Sequence, residues 1–264
     1  MKVAYFDCFS GVSGDMTLGA LVDAGLDMAV LRDELAKLPV HAYRLDHHVV
    51  KRNGLRGTKV DVLVDEGQQP PRKYTDIVAM ISESTLAPDV QRDALDIFRR
   101  LGEVEAHLHH EPLESIHFHE VGAVDSIVDV VGAVIGLHAL GVTSVMASAI
   151  NVGCGTVRTA HGVLPVPAPA TLELVKGCPT YAGAVRMEMT TPTGAAIVTT
   201  MARRFGPLPL MQVEQIGYGA GNRDLPGQPN LLRVIVGEME AEGEQSVQGH
   251  HHPHHHDQGH HHHH

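Results

Sequence analysis

The densest grouping of chemically capable side chains is His117-Phe118-His119-Glu120-Val121-Gly122-Ala123-Val124-Asp125-Ser126-Ile127-Val128-Asp129. In an extended segment, side chains two apart point the same way, so His117 and His119 share a face. In the apolar helix expected over 124–140, Asp125 and Asp129 stack one turn apart. Gly132 and Gly136 continue that stripe with nothing bulky on it, so a second element can approach closely. Two imidazoles and two carboxylates, with Glu120 among them, form a donor set for a divalent cation at a strand-to-helix corner. Imidazole suits nickel or zinc, and carboxylate suits manganese or magnesium. The alternative is a capping Asp125, a solvated Asp129 and histidines bonded to backbone. Two acids in an otherwise apolar helix favour the cation site, because a buried charge is costly unless paired or bound.

A second grouping is Asp7-Cys8-Phe9-Ser10-Gly11-Val12-Ser13-Gly14-Asp15. A strand, a small-residue turn and a helix start leave free N–H groups that can cradle an anion, with Ser10, Gly11, Ser13 and Gly14 as the cradle. No Lys occurs there, so it is not a phosphate-binding loop of the Gly-Lys-Ser/Thr kind. Asp15 at a helix start would oppose a phosphate and reads as a cap. Asp7, at a strand end, can hold a cation that bridges to one. Thr191, Thr193 and Gly194 form another small-residue helix start. In Gly153-Cys154-Gly155-Thr156-Val157-Arg158, the Cys154 thiolate can bind a soft metal and Arg158 a phosphate or carboxylate; on spacing alone, a tight loop around a small buried Cys is the preferred reading. Gly217-Tyr218-Gly219-Ala220-Gly221 reads as a turn near a ligand.

These residues need elements to hold them. A buried strand is expected over 2–7, then helices over 16–24 and 28–38. A hairpin follows over 43–51 and 58–64, joined through Asn53-Gly54 and Arg56-Gly57. Helices are expected over 74–84 and 89–108, the second ending in His107, His109 and His110, where a helix C-terminus favours a cation. After the 124–140 helix come a strand over 142–152, a helix over 170–176, and a helix over 192–205 with Pro192 in its first turn. Strands over 211–216 and 231–236 close the pattern around a loop at 217–230. Alternating strands and helices predict an α/β fold, a mixed sheet with flanking helices. The expected organisation is a body over 1–237, with a sub-boundary near 67–71, and an acidic, His-rich tail over 238–264.

The tail holds eleven of the chain's 21 histidines. Such a segment builds no core and is expected to be disordered. His250, His251, His252, His254, His255 and His256 should bind nickel, zinc or copper with little selectivity. The run from His260 to His264 has the form of an expression tag. The net charge of −11 argues against a nucleic-acid partner, which calls for a basic surface. Three unpatterned cysteines read as reduced thiols in a cytoplasmic protein. No apolar run of about 18 residues suggests a membrane span.

Taken together, Asp7 to Asp15 followed by Met16 and Leu18-Gly19-Ala20-Leu21, the His117 to Asp129 segment, Thr190 to Gly194, and Gly217 to Gly221 with Pro229-Asn230-Leu231-Leu232-Arg233 resemble the LarC nickel-insertion family. The resemblance spans about 1–237. It implies insertion of nickel into pyridinium-3,5-bisthiocarboxylic acid mononucleotide, a chelatase activity of the lyase class, in the maturation of lactate racemase-type enzymes. It also implies CTP with manganese or magnesium, handled by a C-terminal domain or subunit that this chain lacks, so that the chain alone is expected to be incomplete. A homo-oligomer is expected. The competing readings are a metal-dependent phosphoester or nucleotide hydrolase using the same carboxylates, and a non-catalytic nickel store or chaperone working through the tail.

Overall fold

The unbroken apolar run Val3-Ala4-Tyr5-Phe6 demands a strand covered on both sides, and it lies near the middle of the main sheet. The structure, a computed structural model, describes residues 1–65, 72–118, 124–159 and 161–240. In chain order the elements are β1 (Lys2–Asp7), α1 (Gly14–Asp23), α2 (Met28–Leu35), β2 (Tyr43–Arg52), β3 (Leu55–Val64), α3 (Tyr74–Ser82), α4 (Pro88–His109), α5 (Val124–Ala139), β4 (Ser144–Ala147), β5 (Ile150–Asn151), β6 (Thr156–Thr159), β7 (Gly162–Pro165), α6 (Pro169–Leu174), β8 (Thr180–Tyr181), α7 (Pro192–Met201), β9 (Ala202–Phe205), β10 (Gln212–Ala220) and β11 (Leu231–Glu238). Seven strands form a mixed sheet in the order β2-β3-β10-β11-β1-β4-β9. The pairs β1–β4, β4–β9 and β3–β10 are parallel and the other three antiparallel. The α/β class with a mixed sheet is therefore as the sequence predicted. The expected sub-boundary at 67–71 and the tail beyond 240 fall on or among residues outside the described ones.

Strand alternation divides the apolar residues between two faces. Ala4 and Phe6 join the large core built with α1, α2, α4, α5 and α7. Val3, Tyr5, Met146 and Ile235 form a small separate cluster, closed by Met211 and Met239 and containing no helical residue. The helices described here thus pack on one face of the sheet.

Glycines set how closely they pack. A Cβ at Gly132 would stand 2.8 Å from Leu18 Cδ2, and one at Gly136 2.9 Å from Leu21 Cδ1, so the small-residue stripe of α5 receives α1 as expected. On the other side of α1, a Cβ at Gly219 would stand 1.7 Å from Met16 O, and one at Gly217 1.9 Å from Ala20 O. This corrects the reading of 217–221 as a ligand-side turn. Residues through Ala220 continue β10, and their missing side chains let a helix lie directly on the strand.

Three other expectations shift. The hairpin turns on Asn53 and Gly54 alone, both with positive φ (46° and 83°), as a two-residue primed turn requires. Gly57 lies inside β3, where a Cβ would meet Leu231 Cδ2 at 2.5 Å. The strand expected over 142–152 is two, because the chain leaves the sheet at Ser148, whose hydroxyl accepts the Cys8 N–H (2.9 Å), and β5 then pairs with β8. The helix expected to reach 205 stops at Met201; Ala202 turns extended, and β9 pairs with β4 at the sheet edge.

Candidate functional site

The helices α1, α5 and α7 all begin at one end of the sheet, around a cavity of about 370 Å³. Its wall includes Ser13, Gly14 and Asp15 from the start of α1, Asp125, Ser126 and Asp129 from the first turns of α5, and Thr191, Pro192 and Thr193 from the start of α7. Local sequence explains each start. Ser13 occupies the N-cap of α1 in an extended conformation. Thr191 caps α7, its hydroxyl accepting the Gly194 N–H at 3.2 Å, and Pro192 takes the first-turn place where no N–H is needed. The Thr191 N–H donates to Val12 O (3.1 Å), which ties the two starts together. A Cβ at Gly14 would stand 2.3 Å from Asp129 Oδ2, and one at Gly194 2.2 Å from Val12 O, so both glycines are needed for this convergence.

Five carboxylates line the cavity, Asp15, Asp61, Asp125, Asp129 and Glu188, against the single ammonium of Lys59. The Lys59 side chain is 5% exposed, with Nζ 2.8 Å from Asp15 Oδ2 and 2.9 Å from Asp61 Oδ1. Burial lowers its pKa, but Asp15 and Asp61 outweigh that and hold it above the ordinary lysine value. Asp15 Oδ1 also accepts from the Ser13 hydroxyl and from the Met16 N–H. Asp129 is different. It keeps some solvent contact as a residue, yet its Oδ1 is sealed off with no hydrogen-bond partner among the described residues. Burial, then the charges of Asp15 and Asp125, raise its pKa well above the ordinary carboxylate value, and Lys59 only partly opposes them. A carboxylate so placed is costly when ionised and gains strongly from a bound cation.

A second cavity, of about 610 Å³, adjoins the first through Glu188 and Pro192, which line both. Arg158 and His161 stand in it together with Glu105 and His109 from the end of α4, beside apolar walls from Leu108, Val157, Leu164 and Ala168 to Ala170. The His109 and His161 rings lie 5.3 Å apart.

The structure therefore brings Ser13, Gly14, Asp15, Asp125, Asp129, Thr191 and Thr193 to one place and Arg158 to the neighbouring one. It puts Asp7 elsewhere: that carboxylate is paired with Arg233 across β1 and β11, with Arg233 Nε at 3.1 Å. Ser10 is buried and donates to Pro229 O (2.6 Å), while Gly11 packs on Met189. Cys154 lines neither cavity and lies 3.4 Å from Val185 O. Cys8 is fully buried; burial first, then Asp7, pushes its thiol up to about 12. His117 is exposed, bridges to Lys73 and does not line the acidic cavity. His119 and Glu120, like His250 and the other tail histidines, lie outside the described residues. Among the described residues no three His, Cys, Asp or Glu side chains converge closely enough to enclose a metal ion. Lys59, Asp61, Glu188 and Asn222 were not anticipated. The signal for the first two was the run Thr58-Lys59-Val60-Asp61-Val62, whose period of two puts a lysine and an aspartate on one face of a strand.

The family described as nickel insertion protein matches residues 4–255. The chain belongs to the nickel insertion protein family. It is 55% identical over 250 residues to the pyridinium-3,5-bisthiocarboxylic acid mononucleotide nickel insertion protein of Desulfitobacterium hafniense, covering 94% of this chain and 62% of that one. It is 47% identical over 247 residues to the protein of the same name from Geobacillus kaustophilus, covering 90% and 60% respectively. The chain thus spans less than two thirds of the length of these nickel insertion proteins. No solved structure matches it. Among the described residues no helix is long and apolar enough to cross a membrane.

Proposed function

We propose that this chain carries the nickel-handling centre of a nickel chelatase. Its substrates are nickel and the pyridinium-3,5-bisthiocarboxylic acid mononucleotide named for its relatives, and its place is in the maturation of lactate racemase-type enzymes. The observation that carries the reading is Asp129: a carboxylate with a sealed, unpartnered oxygen, facing a cavity with four other acids and one lysine. Nickel arriving there exchanges part of its water shell for Asp129 and Asp125 and is held without being enclosed. That leaves its remaining positions open to the sulfur atoms of the substrate. A cation held by one or two carboxylates with several waters is also the usual arrangement for magnesium. The oxygen donors accordingly fit the manganese or magnesium that accompanies CTP in the full reaction; such an ion would supply charge neutralisation. CTP itself falls to the C-terminal part, as a domain or a separate subunit. Lys59 holds Asp15 and Asp61 in place through its two ion pairs. Arg158 serves the substrate rather than the metal, and the three unpaired thiols suit a cytoplasmic protein.

The experiment is calorimetric titration with nickel of the chain shortened to residues 1–240, which retains every described element, beside its Asp125→Asn/Asp129→Asn variant. The shortened chain should bind one ion, and the variant should lose that binding while melting at a similar or higher temperature. Equal affinity in the two proteins would remove the acidic cavity from the function.

A further inference from the structure

The cavity beyond Glu188 is larger and more apolar than its neighbour, and beside Glu105 and Glu188 it carries an arginine. Where the first cavity sets five carboxylates against one ammonium, the second presents the Arg158 guanidinium, which makes no hydrogen bond or ion pair with any described residue, above an apolar wall that includes Val157 and Leu164. At about 610 Å³ it lies within the range that holds a nucleotide-sized ligand, and it is a mainly apolar recess with a few polar groups, as such sites are. An unpaired guanidinium is the group of choice for a phosphate monoester, which it can grip through two parallel N–H donors.

We infer that this second cavity is the mononucleotide-binding half of a two-part site, with Arg158 taking the phosphate monoester and the apolar wall taking the face of the pyridinium ring. The inference rests on the reading of the first cavity as the nickel half, and it explains why the two share a wall. Glu188 and Pro192 line both, so a ring lying on Val157 and Leu164 can present its thiocarboxylate substituents across that boundary. The arrangement also separates charge. The phosphate lies on the Arg158 side of the shared wall and the cation on the side of Asp125 and Asp129; Glu105 and Glu188 also line the Arg158 cavity, so the guanidinium has to outweigh them to hold a phosphate. His161 lines the same cavity, its ring 5.3 Å from that of His109.

The test uses the purified chain without nickel and a readily obtained ligand, nicotinic acid mononucleotide, with its dephosphorylated riboside as the probe for the phosphate. Wild-type protein should bind the mononucleotide about tenfold or more tightly than the riboside. Arg158→Ala should lose that preference, leave riboside affinity unchanged and melt like wild type, since the side chain is exposed and supports nothing; Arg158→Lys should recover part of it. Asp125→Asn/Asp129→Asn should bind the mononucleotide as well as wild type or better. Absence of mononucleotide binding to wild type, or equal binding by wild type and Arg158→Ala, overturns the inference. Either result leaves the nickel reading standing if the acidic cavity still binds the ion. Loss of nickel binding with an intact phosphate preference would sink the nickel reading alone.

Discussion

Asp129 concentrates the conflict between folding and function in one side chain. Its pKa is raised by burial and by Asp15 and Asp125, so between the ordinary value of 3.8 and the raised one the folded state binds more protons than the unfolded state. Stability must therefore fall as pH rises through that window. Asp129→Asn removes the ionisation. In the presence of a chelator the variant should lose that pH-dependent fall and melt above wild type at neutral pH. Added manganese should reverse the order, because the ion stabilises only the protein that offers the carboxylate. Melting curves across pH, with and without manganese, measure both effects. Identical pH profiles in chelator would mean that Asp129 ionises freely. The same residue shows what sequence can reveal. Asp125 and Asp129, one turn apart in a helix of Val, Ile and Gly, are conspicuous because nothing else polar shares their stripe. Lys59 is far less so: its partner Asp15 is 44 residues away, and only the fold brings an ordinary strand lysine beneath a helix start.

At the scale of elements, the site depends on α1 lying against α5 on one side and β10 on the other, with glycine at each contact. Gly219→Ala would place a methyl 1.7 Å from Met16 O, a clash with backbone that no rotamer relieves. It should cost about 3 kcal/mol. Because α1 carries Asp15 to Lys59, pushing that helix off the strand should also weaken cation binding. Gly206→Ala, where a Cβ meets nothing within 4 Å, is the control and should be near neutral. Chemical denaturation of the three proteins compares them directly, and a Gly219→Ala protein as stable as wild type would show that the close approach carries no weight. The role of Gly217 and Gly219 was misread from sequence for a physical reason. Alternate glycines break the hydrophobic pattern that marks a strand, and a ligand and a helix both demand small residues where they come close. The end of α7 was hidden in a similar way. Residues 192–205 keep helical composition, and only pairing with β4 turns Ala202–Phe205 into an edge strand. By contrast β1, the Asn53-Gly54 hairpin and α5 were legible because local pattern and tertiary demand agree there.

For the whole molecule, the question is how nickel would reach the acidic cavity proposed to hold it with few ligands. The net charge of −11 favours approach of a divalent cation in general. We propose that the eleven histidines of residues 250–264 add an unselective reservoir of divalent metal. Interchangeable imidazoles can collect nickel, but bond formation to the substrate needs an oriented metal, which a polyhistidine run does not provide. Tethering raises the effective concentration of the collected ion near the body without adding any contact to the site. The two functions should then separate in a titration. In an assay that also contains the C-terminal part of a relative, chains with and without residues 249–264 should insert nickel equally well when the metal is abundant. The shortened chain should fall behind progressively as nickel becomes scarce, with its half-saturation point moved to higher nickel and its maximal rate unchanged. The cavity variant Asp125→Asn/Asp129→Asn should show the converse, a lowered maximum that abundant nickel does not restore. If the chain lacking 249–264 stays inactive at saturating nickel, the histidines belong to the reaction centre itself, and the acidic cavity is at most half of it.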